Sequence, residues 1–168
     1  VSGATGCGKT TQVPQYVFEN AVRAGRGGEC SVIITQPRRL SAIAVAERVA
    51  QERCERIGDT VGYSIRLESR QSSNTRLLFC KTGILLTPLQ SDPDLRGVSH
   101  VLVDEVHERD LLSDFLLVLL RRLAAQLEDF RLASMSHTVH AVPVMVYFSR
   151  VVPVGLRSLA TPVRPLPG

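Results

Sequence analysis

Gly3-Ala4-Thr5-Gly6-Cys7-Gly8-Lys9-Thr10 stands at the head of the chain and fills every position of the pattern GxxxxGK[ST]. Glycines at this spacing let successive backbone N–H groups turn inward, where a Cβ would obstruct the turn. The residues that follow, Thr11 to Ala24, read as a helix, with Pro14 tolerated in its first turn. A helix starting here aims its positive end at the same loop. The loop is therefore expected to cradle phosphates. Lys9 would neutralise the β and γ oxygens of a nucleotide, and the Thr10 hydroxyl would ligate Mg2+. Gly3, Ala4, Thr5, Gly6, Cys7, Gly8, Lys9 and Thr10 form the expected ATP-binding set, with Thr11 at the helix start. A glycine-rich surface turn could match by chance, but it would not need a helix directly behind it.

Outward from the loop, short β-rich runs alternate with helical ones, the pattern of an α/β fold with a mostly parallel sheet and covering helices. Strands are expected at Ser31 to Thr35 (ended by Pro37), Val61 to Leu67, Arg76 to Cys80, Val98 to Val103 and Arg131 to Met135. Helices are expected at Ser41 to Arg56, where Ala42, Val45, Ala46 and Val49 recur at helical spacing, and at Leu111 to Gln126. A short helix at Gly83 to Leu89 would be cut or distorted by Pro88. A phosphate loop follows a strand, yet only Val1 and Ser2 precede Gly3. The first strand of the sheet is therefore expected to be cut off or to lie outside this chain. After Asp129 there is no further Asp or Glu, while Pro143, Pro153, Pro162, Pro165 and Pro167 accumulate. Residues 1–150 are expected to form the domain, and residues 151–168 a linker or irregular tail.

Val98-Ser99-His100-Val101-Leu102-Val103 runs into Asp104-Glu105-Val106-His107. An apolar strand ending in acids delivers them to the C-terminal edge of an open α/β sheet, beside the phosphate loop. Asp104 is the expected Mg2+ ligand together with Thr10. Glu105 stands one residue on, where it can orient and deprotonate an attacking water. A solvated acidic cluster is the alternative, and the upstream loop argues against it. His107 has no Cys or His partner at metal spacing. It reads as a polar coupling residue below the nucleotide, so no metal is expected beyond the nucleotide-bound Mg2+. Glu105, Lys9, Asp104 and His107 are the expected catalytic group, and Arg109 with Asp110 a local ion pair.

Thr35-Gln36-Pro37-Arg38-Arg39-Leu40-Ser41-Ala42 joins a buried strand to a helix that Ser41 is expected to cap. Arg38 and Arg39 at this rim are placed to meet a phosphate backbone, although a solvated turn would look the same by spacing alone. Arg66, Arg70 and Arg76 add a scattered basic surface. Phe18, Tyr63 and Phe79 alternate with aliphatics and are expected in the core rather than stacked on bases.

The 168 residues suffice for one domain with a core. Hydrophobic residues make up 44% and charged ones 21%, which excludes a disordered chain. A net charge of +4 leans toward polyanionic partners without singling one out. The longest apolar stretch, Leu111 to Leu120, is interrupted by Ser113 and Asp114, so no membrane span is expected. The start of the chain does not read as a signal peptide. Cys7, Cys30, Cys54 and Cys80 form no CxxC, which fits reduced thiols in the nucleus or cytoplasm.

The stretches GATGCGKTTQVPQ (3–15), TQPRRLSAIAVAERVA (35–50), GYSIRLES (62–69), LLFCKTGILL (77–86), GVSHVLVDEVHERD (97–110) and SDFLL (113–117) together resemble the DEAH-box (DExH) RNA helicases. The likeness is to the branch of DHX-type enzymes that remodel RNA and, in some members, quadruplexes. It runs over roughly residues 1 to 140. His107 in DEVH separates it from the DEAD-box enzymes. The resemblance implies a RecA-like P-loop NTPase domain, the first of two such lobes, with ATP and Mg2+ bound between them. It implies RNA as partner, with DNA or quadruplex nucleic acid as further candidates. The second lobe would close the cleft and supply arginine fingers. By the same resemblance Arg38, Arg39, Lys81 and Thr82 contact RNA, and Ser136 and Thr138 couple hydrolysis to strand movement.

The sequence also departs from the family pattern. Ser136-His137-Thr138 carries a ring where the family has a methyl, Lys81 stands where a threonine is usual, and Pro88 interrupts a helix. In Arg131 to Met135, Ala133 and Ser134 shrink a core position and add a hydroxyl there. The expected function is ATP hydrolysis coupled to movement along RNA and its unwinding. An inactive RNA- or protein-binding fragment and another P-loop NTPase, such as a DNA helicase, are the alternatives.

Overall fold

In the computed structural model, which describes residues 1–4 and 6–136, the apolar runs become strands buried on both faces. The element order is α1 (Lys9–Arg23), β1 (Val32–Gln36), α2 (Arg39–Glu52), β2 (Val61–Ile65), β3 (Glu68–Arg70), β4 (Leu77–Lys81), α3 (Thr82–Ser91), β5 (His100–Val103), a 3-10 turn (Val106–Glu108), α4 (Leu111–Gln126) and β6 (Arg131–Ser134). The six strands are ordered β3-β2-β4-β1-β5-β6. All pair in parallel except β3, which returns antiparallel to β2. A parallel sheet needs crossovers that cover both faces, and the helical runs between the strands supply them.

Alternation along the strands divides the core. Val32 and Ile34 of β1, Val61 and Tyr63 of β2 and Phe79 of β4 face α2 residues Ala42, Ala46 and Val49, with Val13, Val17 and Phe18 of α1 against the same cluster. Ile33, Cys80, Val101 and Val103 face the other way, onto Leu85 and Leu89 of α3 and Leu116, Leu117, Leu120 and Leu123 of α4. The result is a three-layer sandwich with β1 at its centre. Phe79 and Tyr63 are buried as expected, and Phe18 lies under the Arg53 guanidinium at 5.4 Å from its ring centre.

Several local expectations are corrected. α1 begins at Lys9, so Pro14 sits in its second turn rather than its first. α2 begins at Arg39 behind an extended Arg38, with no side-chain cap, so Ser41 lies inside the helix and does not cap it. Pro88 does not cut α3, which runs on to Ser91. The proline is exposed, and its own carbonyl accepts the Asp92 N–H at 2.7 Å. Ser134 is half-buried at the end of β6, so its hydroxyl is not enclosed in the core. β3 went unread because Glu68-Ser69-Arg70 is exposed throughout and carries no apolar alternation. Ahead of the phosphate loop, Ser2 forms a parallel bridge with Ser136, just past β6. That bridge marks the side of the sheet from which the loop departs. His137, Thr138, the boundary at residue 150 and the tail from Val151 lie outside the described residues.

Glu52 ties α1 to α2. Its Oε2 accepts the Gln12 and Gln15 amides, each at 2.9 Å, and its Oε1 accepts Arg48 Nε at 2.8 Å. The Arg48 hydrogen bond first, and those of Gln15 and Gln12 after it, hold the carboxyl below its ordinary 4.5, against the opposing effect of partial burial. A folded-state value depressed in this way adds stability above the unfolded value, and that stability is lost as pH falls through the folded value. Glu52→Gln therefore flattens the acid limb. On going from about pH 6 to about pH 3 the urea midpoint of the parent chain falls further than that of the variant. Equal falls would show that this carboxylate contributes nothing to the pH dependence.

Candidate active site

The phosphate loop is held from both ends. The Gly3 N–H donates to the Ser136 carbonyl at 3.3 Å and the Ser136 N–H to the Val1 carbonyl at 3.0 Å, which anchors the loop's entry to the end of β6. At its exit, Gly6 and Gly8 take φ of 78° and 86°, in the left-handed region that side chains disfavour. Gly8 is the N-cap of α1. No side chain caps this helix, and its first turn contains no acid. The first-turn N–H groups and the positive helix end are thus left to face an anion. The Lys9 ammonium folds back over the loop and donates to the Gly3 and Ala4 carbonyls, with Cys7 Sγ 3.6 Å away. Neutral carbonyls hold an ammonium less strongly than phosphate oxygens do, so the same ammonium can transfer to a bound phosphate.

Asp104 is the centre of the site. It follows β5 and is 2% exposed. Its Oδ2 accepts the Thr10 hydroxyl at 2.6 Å and the Gln36 amide at 2.8 Å, and its Oδ1 accepts the Glu105 N–H at 2.9 Å. Its own N–H donates to the Thr35 carbonyl at 3.2 Å. A buried carboxylate is costly unless its oxygens are engaged, and here both are. The Thr10 hydroxyl and the Asp104 carboxylate are hard oxygen donors side by side, the donor type Mg2+ requires. The donor set therefore fits a magnesium–nucleotide, with Lys9 and the loop N–H groups on the phosphates.

Past Asp104 the backbone turns sharply. Glu105 has φ 53° and Arg109 φ 52°, both left-handed, and they bracket the 3-10 turn. Such conformations cost about 1–3 kcal/mol each in non-glycine residues. They are held by the Val106 N–H on the Met135 carbonyl at 3.2 Å, by burial of Val106, and by the Glu105 N–H on Asp104. The turn leaves the Glu105 side chain half-buried, with His107 Nδ1 3.2 Å from its Oε2. Arg109 does not pair with Asp110, as the sequence suggested. It pairs with Asp114 at 3.0 Å, and Asp110 instead caps α4 by accepting the Ser113 N–H at 3.3 Å. A cap uses Asp110 at the one position where the helix start needs an acceptor.

The basic residues separate into two groups. Arg38, Arg39, Lys81 and Arg66 all stand at the carboxyl ends of β1, β4 and β2, on one rim, and all are exposed. Arg38 also pairs with Glu108 at 3.1 Å, which links this rim to the 3-10 turn. Arg76 precedes β4 and so lies at the opposite end of the sheet. Thr82 is not presented at the rim. It is 2% exposed, its hydroxyl donates to the Gln36 carbonyl at 3.3 Å, and it lies 3.4 Å from the Ser113 hydroxyl. Gln36 had no signal of its own in the sequence beyond being a polar residue closing an apolar strand.

Comparison with known proteins bears on this arrangement. The DEAD/DEAH box helicase family model matches residues 1–145. The chain is 56% identical over 148 residues to the DExH-box ATP-dependent RNA helicase DExH1 of Arabidopsis thaliana, covering 88% of this chain and 15% of that protein. It is 52% identical over 164 residues to DExH3 of the same plant, covering 98% and 14%. It is 53% identical over 149 residues to the putative ATP-dependent RNA helicase DHX57 of Homo sapiens, covering 89% and 11%. The chain thus spans a small fraction of the length of the curated relatives it matches.

The four cysteines are free, and their settings differ enough to report on the loop. Cys7 and Cys54 are exposed, while Cys30 and Cys80 are buried, and burial pushes the Cys80 thiol up to about 12. With a thiol reagent at about pH 8, Cys7 and Cys54 label in the folded chain and Cys30 and Cys80 only after denaturation. Magnesium–nucleotide slows Cys7 and leaves Cys54 unchanged, as read by peptide mass spectrometry. Equal Cys7 rates with and without nucleotide would argue against phosphate at this loop.

Proposed function

This chain belongs to the DEAD/DEAH box helicase family, and we propose that it is the ATP-binding lobe of an ATP-dependent RNA helicase. The observation that carries the reading is the meeting of Thr10 with Asp104 at 2.6 Å, the phosphate-loop hydroxyl on the strand-end carboxylate. The names of the relatives support the activity, since each matched plant protein is described as an ATP-dependent RNA helicase.

In this proposal the loop N–H groups and Lys9 bind the phosphates, and Thr10 with Asp104 holds Mg2+. Held by these two oxygens, Mg2+ would supply positive charge to offset the negative charge that develops on the phosphates. Glu105 orients a water for in-line attack and takes its proton at Oε1, with His107 Nδ1 3.2 Å from Oε2. Glu108 paired with Arg38 gives the turn beyond Glu105 a direct contact to the basic rim. Arg38, Arg39 and Lys81 hold the phosphate backbone of a single RNA strand. Ser136, whose backbone joins the phosphate loop to the end of β6, relays changes at the loop toward the strand path. A second RecA-like lobe supplies donors to the far side of the γ-phosphate, which one lobe does not surround.

The test is RNA-stimulated ATP hydrolysis by the purified chain, with and without added second lobe. Turnover by the single lobe is slow and rises when the second lobe is supplied. Glu105→Gln lowers kcat at least about 100-fold with KM little changed, as expected on removing a general base. Hydrolysis that persists in Glu105→Gln, or a single lobe as fast as the pair, contradicts the proposed roles.

A further inference from the structure

Four buried polar side chains lie in a row beneath the carboxyl edge of the sheet. Asp104, Gln36, Thr82 and Ser113 are 2%, 3%, 2% and 4% exposed. Ser113 Oγ lies 3.4 Å from Thr82 Oγ1, the Thr82 hydroxyl donates to the Gln36 carbonyl at 3.3 Å, and Gln36 Nε2 donates to Asp104 Oδ2 at 2.8 Å. The row crosses from α4 through α3 and β1 to the end of β5.

Gln36 ends the central strand, between β4 and β5, and is followed directly by Pro37 and the arginines of the rim. Packing alone does not call for an amide there. An aliphatic side chain of similar volume would fill the place without desolvating a polar group. What the glutamine adds is a fixed N–H on one oxygen of the site's carboxylate. Of the three donors to Asp104 among the described residues, Thr10 belongs to the phosphate loop and the Glu105 N–H to the strained turn. Gln36 is the one that arrives from the strand carrying the basic rim. It is itself held in place, because Thr82 fastens its peptide carbonyl and its neighbours bury it.

We propose that Gln36 is a positioning residue for the metal-binding carboxylate: it fixes Asp104 for Mg2+ and ties that carboxylate to the strand end bearing Arg38 and Arg39. The proposal rests on the reading of Asp104 as the magnesium ligand. Groups that orient a ligand from behind it are worth about 10–100-fold in metal affinity, so the effect falls on the magnesium-dependent part of nucleotide binding.

The experiment titrates the full chain with a fluorescent ATP analogue, once in excess Mg2+ and once in EDTA. Gln36→Leu keeps the affinity seen in EDTA within about twofold and loses about tenfold of the gain that Mg2+ confers. A gain equal to that of the parent chain overturns the role of Gln36 while leaving Asp104 as the ligand. A parent chain that binds no better in Mg2+ than in EDTA overturns the magnesium reading and the proposal with it. Circular dichroism checks that Gln36→Leu is folded. If it is not, the parent chain decides by NMR: the Gln36 side-chain amide signals exchange slowly and shift when Mg2+ and the analogue are added. Fast exchange with no shift overturns the proposal.

Discussion

The carboxylate of Asp104 is the point at which separate parts of the fold are forced to agree. Burying it would be prohibitive without donors on both oxygens, and those donors come from three places far apart in the sequence: Thr10 on the phosphate loop, Gln36 on β1 and the backbone of Glu105. Each can reach only if its own element is in register. β1 must lie beside β5, α1 must begin at the loop, and the chain must turn sharply after β5. The parallel pairing of β1 with β5, from Val32 opposite His100 to Thr35 opposite Val103, sets the first of these. The two hydrophobic layers hold that register by burying alternate faces of the same strands.

The turn after Asp104 shows what the packing is used for. Left-handed backbone at Glu105 and again at Arg109 costs energy that the turn itself does not return. Val106 in the core and its N–H on the Met135 carbonyl hold the chain in that path. The same path sets Glu105 beside His107 and Glu108 beside Arg38. One short turn therefore touches the carboxylate centre, the end of β6 and the basic rim. Ser136 adds a second junction, since its backbone bonds to both Val1 and Gly3. The phosphate loop, the end of β6 and the 3-10 turn are thus joined by backbone hydrogen bonds, and the turn reaches the end of β1 through Glu108 and Arg38.

Legibility from sequence followed the strength of local patterns. α4 was readable from the long apolar run of Leu111 to Leu120, while Asp110, expected to pair with Arg109, proved to be its cap. The phosphate loop and the acidic strand end were readable because their chemistry demands particular residue types at fixed spacing. α2 was placed but started late, because Ser41 looks like a cap while the extended Arg38 serves as one without a side-chain bond. Pro88 looked like a break, yet α3 runs past it to Ser91 with the proline exposed. β3 left no trace, since an exposed edge strand has no buried face to impose alternation.

By itself the sequence determined which residues carry the chemistry and which elements carry those residues, because glycine spacing, charge at a strand end and apolar period are properties of neighbours along the chain. Only the tertiary structure decided who meets whom. It turned Thr82 inward to Gln36 instead of outward to the rim, paired Arg109 with Asp114, and gave Asp104 an amide partner from β1. Those outcomes depend on strand order, and strand order follows from which combination of layers buries the most apolar surface while leaving no buried polar group unanswered. That is a condition on the whole chain, and no local window of it contains the answer.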